Sequence, residues 1–308
     1  MSEGIAERDG YRKGVFEIVI TMLIFGAIGL LRRSIPYSSS MIAFFRGFIA
    51  VVILVVLRLL DRSGFDLPAI RKNLIPLAVS GAFIGVNWIL LFEAYRFTTI
   101  AVATISYYMA PMFTIIASCL ILKEKLTPRK GICVLAAFLG VVLVSGVLET
   151  GISGIKGVLL ALAAALLYSG DVIINKLVKG VDGMDRTIIQ MAFAALIVLP
   201  YWLLTDNLSS IVLEPAPLLL LLASGIIFTA LPYTLYFTAI QLVPAQTAAI
   251  LSYIDPAVAV LISALVLHES MTLLTLLGIL FVLGAAIVSE LQRSREKGNQ
   301  KVSRKGRF

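Results

Sequence analysis

The feature that most constrains this chain is a series of long apolar runs, each about as long as a bilayer is thick. A helix crosses the ~30 Å hydrocarbon core in about 20 residues. Ten such runs lie between clusters of charged or turn-forming residues: roughly 14–31, 40–60, 74–95, 99–122, 131–148, 157–176, 187–204, 216–238, 246–267 and 272–290. Backbone polar groups find no water in the bilayer, which leaves helices and closed barrels as the spanning structures. Barrel strands alternate apolar and polar residues over ~10 positions. Runs such as Phe48–Leu57 and Leu218–Ala223 do not alternate. The expected fold is therefore an all-α polytopic membrane protein with ten transmembrane helices. Composition agrees: only 14% of the 308 residues are charged, against about 25% in ordinary soluble domains. The linkers are too short to hold a soluble catalytic domain. The two cysteines, Cys119 and Cys133, both sit in apolar runs and do not suggest a disulfide scaffold.

The first run reads as an ordinary helix and not as a cleaved signal. Arg12 and Lys13 precede it, and Arg32 and Arg33 follow directly, with no small-residue cleavage site. With the N-terminus inside, 21 of the 26 lysines and arginines fall on the cytoplasmic side. Arg32, Arg33, Arg96 and Lys156 fall outside, and Arg46 lies within a run. That bias places both termini in the cytoplasm. The net charge of +8 then reports topology. The basic tail, 291–308, reads as an anchor against anionic lipid, and no nucleic-acid partner is expected.

Sliding the chain on itself by 145 positions aligns 92–127 with 237–272, with identities at 11 of 36 positions. They include Phe92/Phe237, Tyr108/Tyr253, Pro111/Pro256, Ser118/Ser263 and Glu124/Glu269. Composition alone does not bring a tyrosine, a proline and a glutamate into register. Duplication divides the chain into five-helix units at 1–148 and 149–290. Five is odd, so the second unit enters the membrane from the opposite face. Inverted repeats of this kind typify secondary transporters, with the substrate site near the midplane between halves.

The residues Phe92-x-Ala94, Ala101–Pro111, Leu122-x-Glu124, Phe237-x-Ala239, Tyr253-x-x-Pro256 and His268-Glu269, with Phe45-Arg46 in the second run, resemble the EamA-type members of the drug/metabolite transporter superfamily. The resemblance covers nearly the whole chain. It implies a ten-helix carrier of small metabolites, often amino acids, that moves them out of the cell. It implies no particular substrate. The second copy departs from the family pattern: His268-Glu269 stands where Gly-Glu is usual, and Asp255 where many relatives have glutamate.

Ionisable and polar groups inside the runs are costly and mark function. Asp255 lies about nine residues into the ninth run, close to mid-depth at ~1.5 Å per residue. Pro256 follows it and leaves the Ser252 carbonyl without its helical donor. Pro111 is the repeat mate, so paired kinks around a central cavity are expected. Tyr107, Tyr108 and Tyr253 have central depth, and Asn87, Trp88, Tyr168 and Tyr233 are candidates for the same wall. A bland alternative exists for each: a kink that serves packing, or tyrosines in an interfacial belt, the role expected of Trp202. Arg46 and Glu93 are expected to pair, as an outer gate or a static clip. Asp171 and Lys176 read as an interfacial pair, and Glu17 as an edge residue. Gly81-x-x-x-Gly85, with Gly26 and Gly29, signals close helix packing. Monomer and homodimer both remain open.

An enzyme is disfavoured. There is one histidine, His268, no Cys-x-x-Cys and no Walker A sequence, so no metal or cofactor is expected. The expected partner is a small molecule: an amino acid or related zwitterionic or neutral compound. The alternative is an organic cation held by Asp255 and aromatic faces. Protons are a candidate coupling ion.

Overall fold

In the computed structural model every regular element is helical among the described residues, which are 2–60, 64–121, 128–145, 148, 155–206, 214–243, 251–285 and 287–288. Among the described residues, seven helices are long and apolar enough to cross a membrane: Gly10–Ser34, Ser39–Leu60, Leu74–Phe97, Ile100–Ile121, Ile155–Asn175, Gly183–Thr205 and Pro215–Tyr236. Three shorter apolar helices, Gly131–Val144, Ile254–Leu265 and Leu273–Ala285, join them. The basic tail, Lys123 to Lys125 and 246–250 at the head of the ninth run lie outside the described residues.

The surface is apolar and the interior is partly polar. Leu204, Leu120 and Ile75 are 86%, 77% and 76% exposed, whereas Ser80, Asp185 and Thr229 are fully buried. Water would reverse that order, so the exterior is built for lipid. The molecule is a polytopic membrane protein.

Helix ends follow local capping. α4 (Leu67–Lys72) starts where Asp66 accepts a bond from the Ala69 N–H at 3.1 Å. α5 (Leu74–Phe97) follows it closely. α6 (Ile100–Tyr107) starts where Thr99 accepts from the Val102 N–H at 3.1 Å. α9 (Ile155–Leu177) and α10 (Gly183–Thr205) both pack along α5. A Cβ on Gly81 would lie 2.4 Å from the Gln190 carbonyl, and one on Gly85 would lie 2.8 Å from that of Ala194. The small-residue pair therefore seats α10 of the same chain.

The expected spans are less regular than their runs. α1 (Ser2–Gly26) and α2 (Ile28–Ser34) are separated at Ala27. α6 and α7 (Ala110–Ile121) are separated at Tyr108–Met109. The eighth run is α11 (Pro215–Gly225), a π-helical turn (Ile226–Ala230) and α12 (Leu231–Leu242). The ninth run breaks at Ser252–Tyr253, ahead of α13 (Ile254–Leu265). The two interrupted helices carry Pro111 and Pro256 just past their breaks. Proline offers no N–H and crowds the carbonyl four residues back, so each break lies where its proline would disturb a continuous helix.

Candidate functional site

The two breaks meet. The Tyr108 hydroxyl donates to the Ser252 carbonyl at 3.1 Å, the group that Pro256 leaves without its helical N–H. The Asp255 N–H reaches the same oxygen at 3.3 Å. The Asp255 carboxyl lies beside the same hydroxyl, and the Tyr108 ring lies 6.2 Å from that of Tyr253. Ser252, Tyr253, Asp255 and Tyr108 thus form one group. α1 is pressed against it: a Cβ on Gly26 would lie 2.6 Å from the Asp255 carbonyl.

A row of rings extends the group. Tyr107 stands 6.4 Å from Tyr108 and 5.7 Å from Tyr168. Asn87 donates to the Ala164 carbonyl at 2.6 Å and to the Tyr107 hydroxyl at 3.5 Å. Tyr233 is set 5.7 Å from Phe25 of α1. Ser106 and Ser169, beside Tyr107 and Tyr168, bury hydroxyls that have no hydrogen-bond partner among the described residues. Sequence reading overlooked both serines, because a single serine in an apolar helix usually bonds its own backbone.

Arg46 departs from expectation. It is buried on α3 (Ser39–Leu60). Its Nε donates to the Thr229 hydroxyl at 3.0 Å and its Nη2 to the Phe228 carbonyl at 3.3 Å. Its guanidinium carbon lies 4.1 Å from the centre of the Trp88 ring and 5.3 Å from that of Phe92. Glu93 instead holds Arg96 one turn along, at 3.0 Å. The expected Arg46–Glu93 pair is replaced because Pro232 gives the Phe228 carbonyl no N–H, and the π turn presents that oxygen to α3. Trp88 is then a platform for Arg46, in the same packed cluster as Tyr107 and Tyr233.

Other placements differ as well. Trp202 is buried, and stacks on Phe44 at 5.1 Å, so it belongs to the core and not to an interfacial belt. Asp171 is no interfacial residue either. Ser80 donates to it, Asn175 donates to it at 2.8 Å, and Gln190 donates to Ser80 at 2.7 Å. This network joins α5, α9 and α10; the Lys176 side chain is outside the described residues. Glu17 keeps its edge position, 3.8 Å from Lys13. Among the described residues, some charged contacts were not anticipated. Arg58 holds the buried Asp185 at 2.9 Å, and Arg33 holds Glu269 at 2.6 Å. Pairs distant in sequence carry no periodic signal. No cluster of metal-ligating side chains occurs among the described residues.

Lipid-facing helices around buried polar groups, with two broken helices meeting at a carboxylate, define a membrane carrier in architecture. The model of the EamA-like transporter family matches residues 12–146 and again 155–290. The chain belongs to the EamA-like transporter family, and it is a membrane transporter with a small-molecule substrate. It is 24% identical to the uncharacterized transporter YxxF of Bacillus subtilis strain 168, over 92% of this chain and 91% of that one. It is 28% identical to Protein PecM of Dickeya dadantii strain 3937, over 70% of this chain and 76% of that one. A solved crystal structure of 18% identity shares its fold, with a TM-score of 0.64, over 91% of this chain and 98% of that one.

Proposed function

We propose that the chain is a ten-span carrier of two inverted five-helix repeats, 1–148 and 149–290. It moves small zwitterionic or neutral metabolites, amino acids among them, outward across the cytoplasmic membrane by alternating access. Both termini are cytoplasmic, on the strength of the basic-residue bias. The observation that carries the reading is the junction of the two broken helices: the Tyr108 hydroxyl on the Ser252 carbonyl, beside Asp255. A carboxylate and a proline-freed carbonyl both accept from an ammonium group. The rings of Tyr107, Tyr108, Tyr168 and Tyr253 supply apolar walls for the rest of a ligand. Asn87 orients Tyr107, and Ser106 and Ser169 offer unused hydroxyls. Two family matches in succession along the chain support the duplicated architecture. Asp255 is also the candidate proton carrier.

A second reading takes small organic cations as substrate. It is favoured by the closeness of Asp255 to the rings of Tyr108 and Tyr253, which stand 6.2 Å apart, since a cation paired with the carboxylate could use those faces by cation–π attraction.

The test is a thermal-shift screen of the purified protein with amino acids, amines and quaternary ammonium compounds, followed by transport of any hit in proteoliposomes. Asp255→Asn should lower kcat/KM for the hit by about 10- to 100-fold, the cost of one charge-assisted hydrogen bond. Stabilisation by amino acids carries the first reading, and stabilisation by amines alone carries the second. Unchanged transport in Asp255→Asn would remove the site from both.

A further inference from the structure

Glu269 follows α13, and its carboxylate draws three parts of the other half of the chain together. Arg33, at the end of α2, reaches Oε1 at 2.6 Å. The same guanidinium donates to the Thr98 carbonyl, past the end of α5, at 3.2 Å. The N–H of Ile100, the first residue of α6, donates to Oε2 at 3.1 Å. Ser263 donates to that oxygen from within α13, and the Glu269 N–H returns to the Ser263 carbonyl at 3.0 Å. The carboxylate side chain is 9% exposed. The fit is close: a Cβ on Gly29 would lie 2.6 Å from the Ile100 side chain. Holding the carboxylate in this place takes an unusual backbone, since His268 just before it has φ +51°.

The position matters as much as the bonds. A cavity of about 520 Å³ lies at this end of the bundle, lined by Arg32, Arg33, Tyr37, Ser38, Tyr95 and Arg96. Tyr95 reaches from that lining to Thr104 on α6, with 3.3 Å between hydroxyls. The next turn of α6 carries Ser106 and Tyr107, and Tyr108 follows. The carboxylate therefore ties shut the seam between the open cavity and the tyrosine row, where the end of α13 meets the start of α6. Glu269 is 9% and Arg33 36% exposed at the side chain, so the short ion pair keeps part of its Coulomb attraction. One carboxylate carries both contacts across the seam, so a small movement of the segment after α13 away from α2 and α6 releases the Arg33 and Ile100 contacts together.

We propose that Glu269 and Arg33 are the positioning residues that latch this mouth of the transporter closed, and that their separation opens the tyrosine row to it. The proposal rests on the reading of that row as the transport site. On the proposed orientation the mouth faces outward. The latch acts by holding α6 against α13 and touches no substrate.

The test needs no substrate. In the full chain Cys119 and Cys133 are replaced by serine, and Ser106→Cys provides the single thiol. The protein is reconstituted in liposomes and exposed to a membrane-impermeant maleimide from either side. Labelling should be slow with the latch intact. Glu269→Gln, which keeps shape and loses charge, and Arg33→Glu should each raise the rate about tenfold, as expected for loss of one short, partly buried ion pair. The double variant Arg33→Glu/Glu269→Arg restores the ion pair but not the bonds that Glu269 accepts from the Ile100 N–H and Ser263, so it should label more slowly than Arg33→Glu and faster than the intact latch. Unchanged rates in Glu269→Gln overturn the latch, and so does a double variant that labels as fast as Arg33→Glu. The side from which labelling accelerates tests the orientation separately. A failed ligand screen with a responsive thiol counts against the substrate site and not against the latch.

Discussion

Two of the carbonyls that lose an i+4 donor to proline are served in different ways. Pro256 leaves the Ser252 carbonyl, which takes the Tyr108 hydroxyl. Pro232 leaves the Phe228 carbonyl, which takes the Arg46 guanidinium. In both cases the carbonyl lies in the second half and the donor in the first. The first donor is a neutral phenol beside a carboxyl group. The second is a cation set against the rings of Trp88 and Phe92 and bonded again to Thr229. A single neutral bond is worth about 1 kcal/mol and yields to a competing ligand. A cation with several partners in a desolvated slot does not. The comparison assigns a replaceable contact to the Tyr108 junction and a strut to Arg46.

The largest expected effect tests the strut. Arg46→Gln should lower stability by about 3 kcal/mol, since it removes a charged donor from two buried acceptors. The loss should appear as a reduced melting temperature in detergent, whether or not ligand is present. A variant that melts normally but fails in transport would make Arg46 part of the moving site and erase the contrast.

The junction should respond more gently. Tyr108→Phe removes one bond and should cost about 1 kcal/mol. Pro256→Ala gives the Ser252 carbonyl the i+4 N–H that it lacks, in addition to the Asp255 N–H at 3.3 Å. In that background Tyr108→Phe should cost much less, with a coupling near 1 kcal/mol in a double-mutant cycle of melting or transport. Additive effects would mean that the hydroxyl serves something other than the freed carbonyl.

The smallest effect concerns the far end of the second broken helix. His268 adopts φ +51°, a conformation that favours glycine and is uncommon for other residues. His268→Gly should raise stability by about 0.5 kcal/mol through relief of that strain, a shift of a degree or two in the melting curve. A lower melting temperature would show that the imidazole has contacts worth more than the strain. The departure from Gly-Glu at this motif was visible in the sequence, but its backbone meaning was not.

That case is typical of what the chain reveals unaided. Long apolar runs announce helices because lipid leaves few alternatives, and the internal register of Tyr108, Pro111, Tyr253 and Pro256 announces two related breaks. Even the freed Ser252 carbonyl follows from proline chemistry. The partners were harder to read. Glu93 was a reasonable mate for Arg46 by depth alone, but depth does not say which way a side chain points. The π turn that presents Phe228 leaves no mark in hydropathy, because its residues Ile226 to Ala230 are as apolar as their neighbours. Trp202 looked interfacial for the same reason: its position along the helix was legible and its facing was not. Asp171 joined a network whose other members, Ser80 and Gln190, come from helices that nothing in sequence spacing brings beside it.

The turn at Ile226–Ala230 has a consequence beyond the oxygen it frees. A π turn holds one residue more than an α-helix needs to advance the same distance. Every later side chain in that helix is therefore turned by about 100° from where an uninterrupted count would put it. Tyr233 and Tyr236 lie downstream of that offset. Their aim is thus fixed by arithmetic within the helix and not by their own surroundings. Deleting one apolar residue from this stretch would leave composition and length almost unchanged, yet would swing both rings to a different quarter of the bundle.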